Sequence, residues 1–256
     1  MTPAAAYERY LVPAIFGPWA RHVVEAHPPA PGRTVLDVAC GTGIGARSAA
    51  ARIAPGGLVL GVDADAQMLA VARNSAPRID WLRADALNLP LQAGEFDYLL
   101  CLEGLQFLPD RPAGLRELRR VLRPGGVLVG TVWGPLEQNP AYHAVAEGLR
   151  RFVSEEAGRL PPFALSGDAD AIRALFLSTG FTDATVNVDS LPVAVPSSEA
   201  LVAWLAAGGP TIRHSLALLP EDRRREFDEL VALRLSPYRT GQALALPSTR
   251  HIVVAR

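Results

Sequence analysis

From Arg33 to Trp133, short apolar runs alternate with helical segments, and the first run closes in a glycine-rich turn, VLDVACGTGIGARSA (Val35 to Ala49). The order is RTVLDVA, a helical ARSAAARIA, LVLGVD, a helical DAQMLAVARNSA, IDWLRAD, FDYLLCL, a helical AGLRELRRVLR and VLVGTVW. Two PGG triplets, Pro55 to Gly57 and Pro124 to Gly126, read as turns that end a helix and send the chain back into a buried strand. Strands separated by helices at this spacing are βαβ units. They imply a mostly parallel sheet covered on both faces.

The second half is less regular. Helical patterns follow Pro140, run through DADAIRALFLSTGF, and recur in SSEALVAWLAAGG and PEDRRREFDELVALRL. TDATVNVDS and the final STRHIVVAR read as strands, which brings the expected sheet to seven. Residues 5–27 read as an amphipathic helical lead-in broken by Pro13 and Pro18, and HPPAPG resets the chain before the first strand. No linker divides the chain, so it reads as a single domain over 1–256. Its core spans about 30–134, its N-terminal lid 1–29, and its C-terminal half 135–256 carries a helical cap at about 196–235.

Composition narrows the function classes. At 256 residues and 49% hydrophobic content the chain can build a sizeable core. A net charge of -1 gives no field for nucleic acid or an acidic membrane. The apolar runs are strand-sized, well short of the roughly 18 residues of a membrane helix. MTPAAAYERYLVPAIFGPWA has no basic leader before an apolar core, which points to the cytoplasm. There is no lysine, so Schiff-base chemistry and the GK[ST] phosphate loop are excluded. Cys40 and Cys101 are too few for a disulfide framework, and no cluster has metal-ligand spacing.

Ligands of an open α/β sheet sit beyond the carboxyl ends of its strands. Asp37, Asp63, Asp85 and Glu103 stand at or near four such ends. Asp63 follows Gly41 at the distance where an acid meets a ribose diol. Asp85 can accept from an adenine amine while the Ala86 amide donates to a ring nitrogen. Gly41, Gly43 and Ala46 also fit a dinucleotide fingerprint, but a pyrophosphate would be repelled by Asp37 and its neighbours.

VLDVACGTGIG, LGVDADAQMLAVAR, RADALNLPLQAGEFDYLLCLEGLQFLPD and LRELRRVLRPGGVLVGTVW occur in the order and spacing of the class I S-adenosylmethionine-dependent methyltransferases. The chain resembles that family, most of all its small-molecule branch that includes the ubiquinone and menaquinone C-methyltransferases. The resemblance covers about 33–133 strongly. It implies a Rossmann-like fold and S-adenosyl-L-methionine as cofactor. It places Ala39, Gly41 and Gly43 at the methionine part, Asp63 at the ribose, and Asp85 with Ala86 at the adenine, and the expected cofactor site also includes Asp37, Thr42, Ala64 and Met68. Leu102 and Glu103 approach the sulfonium. Ala39 replaces the family's usual first glycine.

The acceptor is not encoded in these motifs. His143, at the start of the helix after the fifth strand, and Glu103 are the candidate catalytic groups, with His214 a weaker third. The expected acceptor is a small, fairly apolar molecule methylated on O, N or C, and the protein is expected to work as a monomer or homodimer. Two alternatives stay open: a cyclisation or rearrangement on the same fold, with the cofactor in a non-methylating role, and a non-catalytic binding module.

Overall fold

The structure is a computed structural model that describes residues 1–160 and 168–256. Its sheet holds β1 (Thr34–Val38), β2 (Leu58–Asp63), β3 (Asp80–Arg83), β4 (Phe96–Leu102), β5 (Leu122–Trp133), β6 (Ala184–Val195), β7 (Arg239–Thr240) and β8 (Ala243–Ala255). The strand order is β3-β2-β1-β4-β5-β8-β6, with β7 paired to β8. The pairings among β1 to β5 are parallel, whereas β8 runs antiparallel to both β5 and β6. The direction of winding reverses between β1 and β4, which opens a crevice at their carboxyl ends.

The seven expected strands are present. The eighth, β7, is a two-residue addition that turns at Gly241 (φ +64°) into β8. The second PGG differs from expectation: it lies inside β5. The pairing shifts from Phe96 with Leu122 to Tyr98 with Val127, and Gly125 sits at φ +77°. The extra residues are absorbed as a bulge, so the strand begins directly where the preceding helix ends.

The sheet sorts side chains by parity. Val129 and Ile252 enter one apolar layer, Leu128 and Val253 the other. The first layer is completed by α2 (Gly17–Ala26), α3 (Ile44–Ile53), α6 (Pro140–Phe152), α8 (Ser198–Gly208) and α10 (Arg224–Leu235). The second is completed by α5 (Arg111–Val121) and α7 (Ala169–Leu177). α4 (Ala66–Ser75) is capped by Asp65, whose carboxylate accepts from the Gln67 and Met68 amides. Ser197 caps α8 by accepting from the Ala200 amide, and α9 (Pro210–Ala217) follows it closely.

The N-terminal helix is continuous where prolines suggested breaks. α1 (Pro3–Ala6) passes into a π-wound stretch, Tyr7–Phe16, and then into α2. In an α-helix the ring of Pro13 would collide with a carbonyl one turn back. The wider winding relieves this, as when the Gly17 amide donates to the Val12 carbonyl five residues earlier. A side chain at Gly17 would place Cβ 2.7 Å from that carbonyl oxygen, so the tight approach needs glycine.

Candidate active site

A cavity of about 520 Å³ opens at the carboxyl ends of the parallel strands. Its floor is Val38, Ala39, Gly41, Asp63, Ala64, Met68, Asp85, Ala86, Leu102 and Glu103. Its roof comes from Tyr7, Leu11 and Phe16 of the N-terminal helix and from Leu205 and Gly208 to Ile212 across the α8–α9 junction. A smaller pocket of about 40 Å³ shares Tyr7, Phe16, Ala39, Gly41, Leu102 and Glu103 with it and reaches Asp37, Trp19 and Thr131.

The turn itself is built on left-handed backbone: Ala39 at φ +55°, Gly41 at +56° and Gly43 at +86°. An alanine in that conformation costs about 1–2 kcal/mol. Its Cβ is accommodated by a second glycine, since a Cβ on Gly104 would lie only 2.7 Å from that of Ala39. The departure at position 39 is therefore matched across the crevice. Gly43 answers to packing instead: an added Cβ would lie 2.2 Å from the indole of Trp81. Gly43 and Thr42 do not line either pocket. The Thr42 hydroxyl is buried at the turn with no hydrogen-bond partner among the described residues.

The acids are held by backbone. Asp37 accepts from the Ala46 amide at 2.6 Å, near the start of α3, and sits so close to Gly45 that a Cβ there would lie 2.7 Å from its oxygen. Burial pushes its carboxyl up to about 7, against the opposing pull of that amide. Asp63 accepts from the Gly41 amide and the Asp65 amide, each at 2.8 Å, and burial raises it as well. Asp85 accepts from the Leu87 amide at 2.9 Å. Among the described residues none of these three carboxylates is in an ion pair. That set of acceptors suits a ligand bearing positive charge and hydroxyls, and opposes a pyrophosphate.

Glu103 departs from ordinary backbone (φ +59°) and faces both pockets. Its Oε1 accepts from the Thr131 hydroxyl at 3.0 Å and from Nε of Arg250 at 2.5 Å. Arg250 is fully buried in β8. Its guanidinium carbon lies 3.4 Å from the centre of the Trp133 ring and 4.8 Å from that of Trp19, and its Nη1 donates to Ser248. Burial lowers its pKa, while Glu103 works in the other direction. Sequence reading missed Arg250. The signal was a charge at a position in step with inward-facing Ile252 and Val254 in an otherwise apolar strand.

The structure does not bring His143 to the cavity. α6 presents Tyr142 there, and the half-buried His143 lies one position further along the helix, where its charge helps hold the Glu147 carboxyl low behind the larger effect of Arg234. The reason is helical geometry: adjacent residues sit on different faces. His214 is exposed on α9. No group of three or more metal-binding side chains occurs among the described residues.

A switch-point crevice with a left-handed glycine turn and unpaired acids at successive strand ends defines a Rossmann-like enzyme that uses a cationic nucleoside cofactor. Residues 35–126 match the methyltransferase domain family. Over 94% of its length the chain is 33% identical to nocamycin O-methyltransferase of Saccharothrix syringae, covering 89% of that protein. It is 38% identical over 43% of its length to demethylmenaquinone methyltransferase of Staphylococcus saprophyticus, covering 49% of it. Its fold matches phosphoethanolamine N-methyltransferase 2 of Haemonchus contortus, solved with S-adenosylhomocysteine, at a TM-score of 0.56 and 21% identity. That match covers 93% of this chain and 52% of the other. The chain belongs to the S-adenosylmethionine-dependent methyltransferases, and S-adenosylmethionine is its cofactor.

Proposed function

We propose that the enzyme methylates an oxygen of a small, largely apolar metabolite, with the cofactor along the strand ends and the acceptor beneath the helical roof. The supporting observation is the division of the cavity. Its strand-end floor carries the acids, while its roof is lined by Tyr7, Leu11, Phe16, Leu205 and Ile212. The likeness to nocamycin O-methyltransferase along nearly the whole chain supports oxygen as the methylated atom.

The cofactor supplies a methyl group activated on a sulfonium. In this reading Asp63 receives the ribose hydroxyls, with Ala64 and Met68 beside it, and Asp85 and Ala86 receive the adenine. Ala39, Gly41 and Leu102 let backbone approach the methionine part, and Asp37 favours its ammonium. The Thr42 hydroxyl and the Gly43 backbone shape the turn around it. The lid, residues 1–29, and the cap at about 196–235 exclude water, so the chain acts mainly by alignment, which can supply roughly 7–11 kcal/mol. A small acceptor rather than a nucleic acid is favoured by the solvated helix faces. Arg223, Arg224 and Arg225 are paired with Glu226, Asp228 and Glu229 rather than free for a phosphate backbone. The enzyme works in the cytoplasm as a monomer or homodimer.

The test combines ligand stabilisation with product mass. S-adenosylhomocysteine at one hundred times its dissociation constant is expected to stabilise the protein by about 2.7 kcal/mol, and Asp63→Ala to abolish the effect. The product is expected to be heavier than the acceptor by one methylene. An isomer of unchanged mass would instead establish the cyclisation reading.

A further inference from the structure

We propose that Glu103, held by Arg250, recognises a hydroxyl on a flat, uncharged acceptor, and that Arg250 is the positioning residue of this device. The inference rests on the methyl-transfer reading of the cavity and assigns the acceptor class to it. Glu103 commits one oxygen, Oε1, to Thr131 and Arg250. The other, Oε2, is buried and has no partner among the described residues. A buried carboxylate oxygen left unpaired is costly, so the complete site must provide it with a hydrogen-bond donor. Glu103 lines both pockets, at the junction between the glycine turn and the roofed cavity, so the donor arrives with a ligand. The walls there are Tyr7, Phe16, Trp133 and Tyr142, with Phe16 edge-on to Trp133 at 6.4 Å and Tyr142 edge-on to it at 4.6 Å. Aromatic walls of this kind favour a planar body.

Arg250 fixes the geometry without reaching the cavity. It is clamped between Trp19 and Trp133, which ties the N-terminal helix, β5 and β8 to one carboxylate. The Arg250–Glu103 pair is neutral overall, so the acceptor side gains no net charge. A carboxylate acceptor would meet the lone pairs of Oε2 and be rejected. In a transfer to this hydroxyl, the O–H proton would pass to Oε2 while the acceptor oxygen forms its bond to the methyl group; the methyl–sulfonium bond would break with its electron pair left on sulfur, releasing S-adenosylhomocysteine, and the proton would leave Oε2 to water with the product.

Three probes with one ring body separate the possibilities: 2-naphthol, 2-naphthoate and naphthalene, titrated calorimetrically into the full chain with S-adenosylhomocysteine present. The expected result is that 2-naphthol binds at least about tenfold more tightly than either of the others. Glu103→Gln, nearly isosteric, is expected to bring the three within about threefold. Arg250→Lys is expected to restore part of the preference that Arg250→Met loses. Equal affinities, no binding of any probe, or a preference for 2-naphthoate would each overturn the proposal. Absence of S-adenosylhomocysteine binding would overturn the methyl-transfer reading separately.

Discussion

Asp37 carries a measurable cost at the scale of one residue. Burial raises its carboxyl to about 7, well above the ordinary range near 4. Between those values the folded chain keeps a proton that the unfolded chain has released. The stability this proton confers is complete below about pH 4 and lost as pH rises through about 7. The ligand-free protein is therefore expected to lose thermal stability from about pH 4 to 7, and Asp37→Asn to lose clearly less over the same range, as measured by differential scanning fluorimetry. A pH profile identical in the two proteins would contradict the buried assignment. Asp37, Asp63 and Asp85 were legible in the sequence because strand ends and spacing locate acids without tertiary information. Arg250 was not, because its partner Glu103 lies 147 positions away and only the fold brings them together.

The glycine turn shows how one element divides its labour. Gly41 lines the cavity, and a Cβ added to it would meet nothing within 4 Å. Gly43 lies under Trp81, which is anchored by its indole donating to the Ala76 carbonyl at 3.1 Å. Gly43→Ala is expected to destabilise the fold by about 2–4 kcal/mol in denaturant titration, from the left-handed backbone and the indole collision together. Gly41→Ala is expected to affect affinity for S-adenosylhomocysteine more than stability. Repeated glycines in a motif thus look equivalent in sequence while serving two masters, ligand and core. The same limit explains the second PGG: its residues suit a turn or a bulge equally, and the partner strand β4 decides between them. It also explains His143, since a helix can be read from its pattern while its rotation about its axis depends on packing against β8 and α10.

At the scale of the molecule, the parallel half of the sheet supplies the strand-end floor of the cavity, and the irregular half supplies α6, α8 and α9 around its roof. Regular βαβ units write themselves into sequence as periodicity. The roof has no comparable period, which is why the strand-end floor was legible in sequence and the roof was not. One consequence follows from the aromatic clamp on Arg250. Trp133 lines the large cavity, Trp19 lines the small pocket, Trp81 covers the glycine turn, and Trp204 stacks on Tyr10 at 5.9 Å beside the roof. These are all four tryptophans of the chain. The molecule therefore carries its entire indole emission around one site. Occupancy is expected to change the intrinsic fluorescence on adding S-adenosylhomocysteine, with no change in Asp63→Ala, so ligand entry can be watched in real time without attaching a dye.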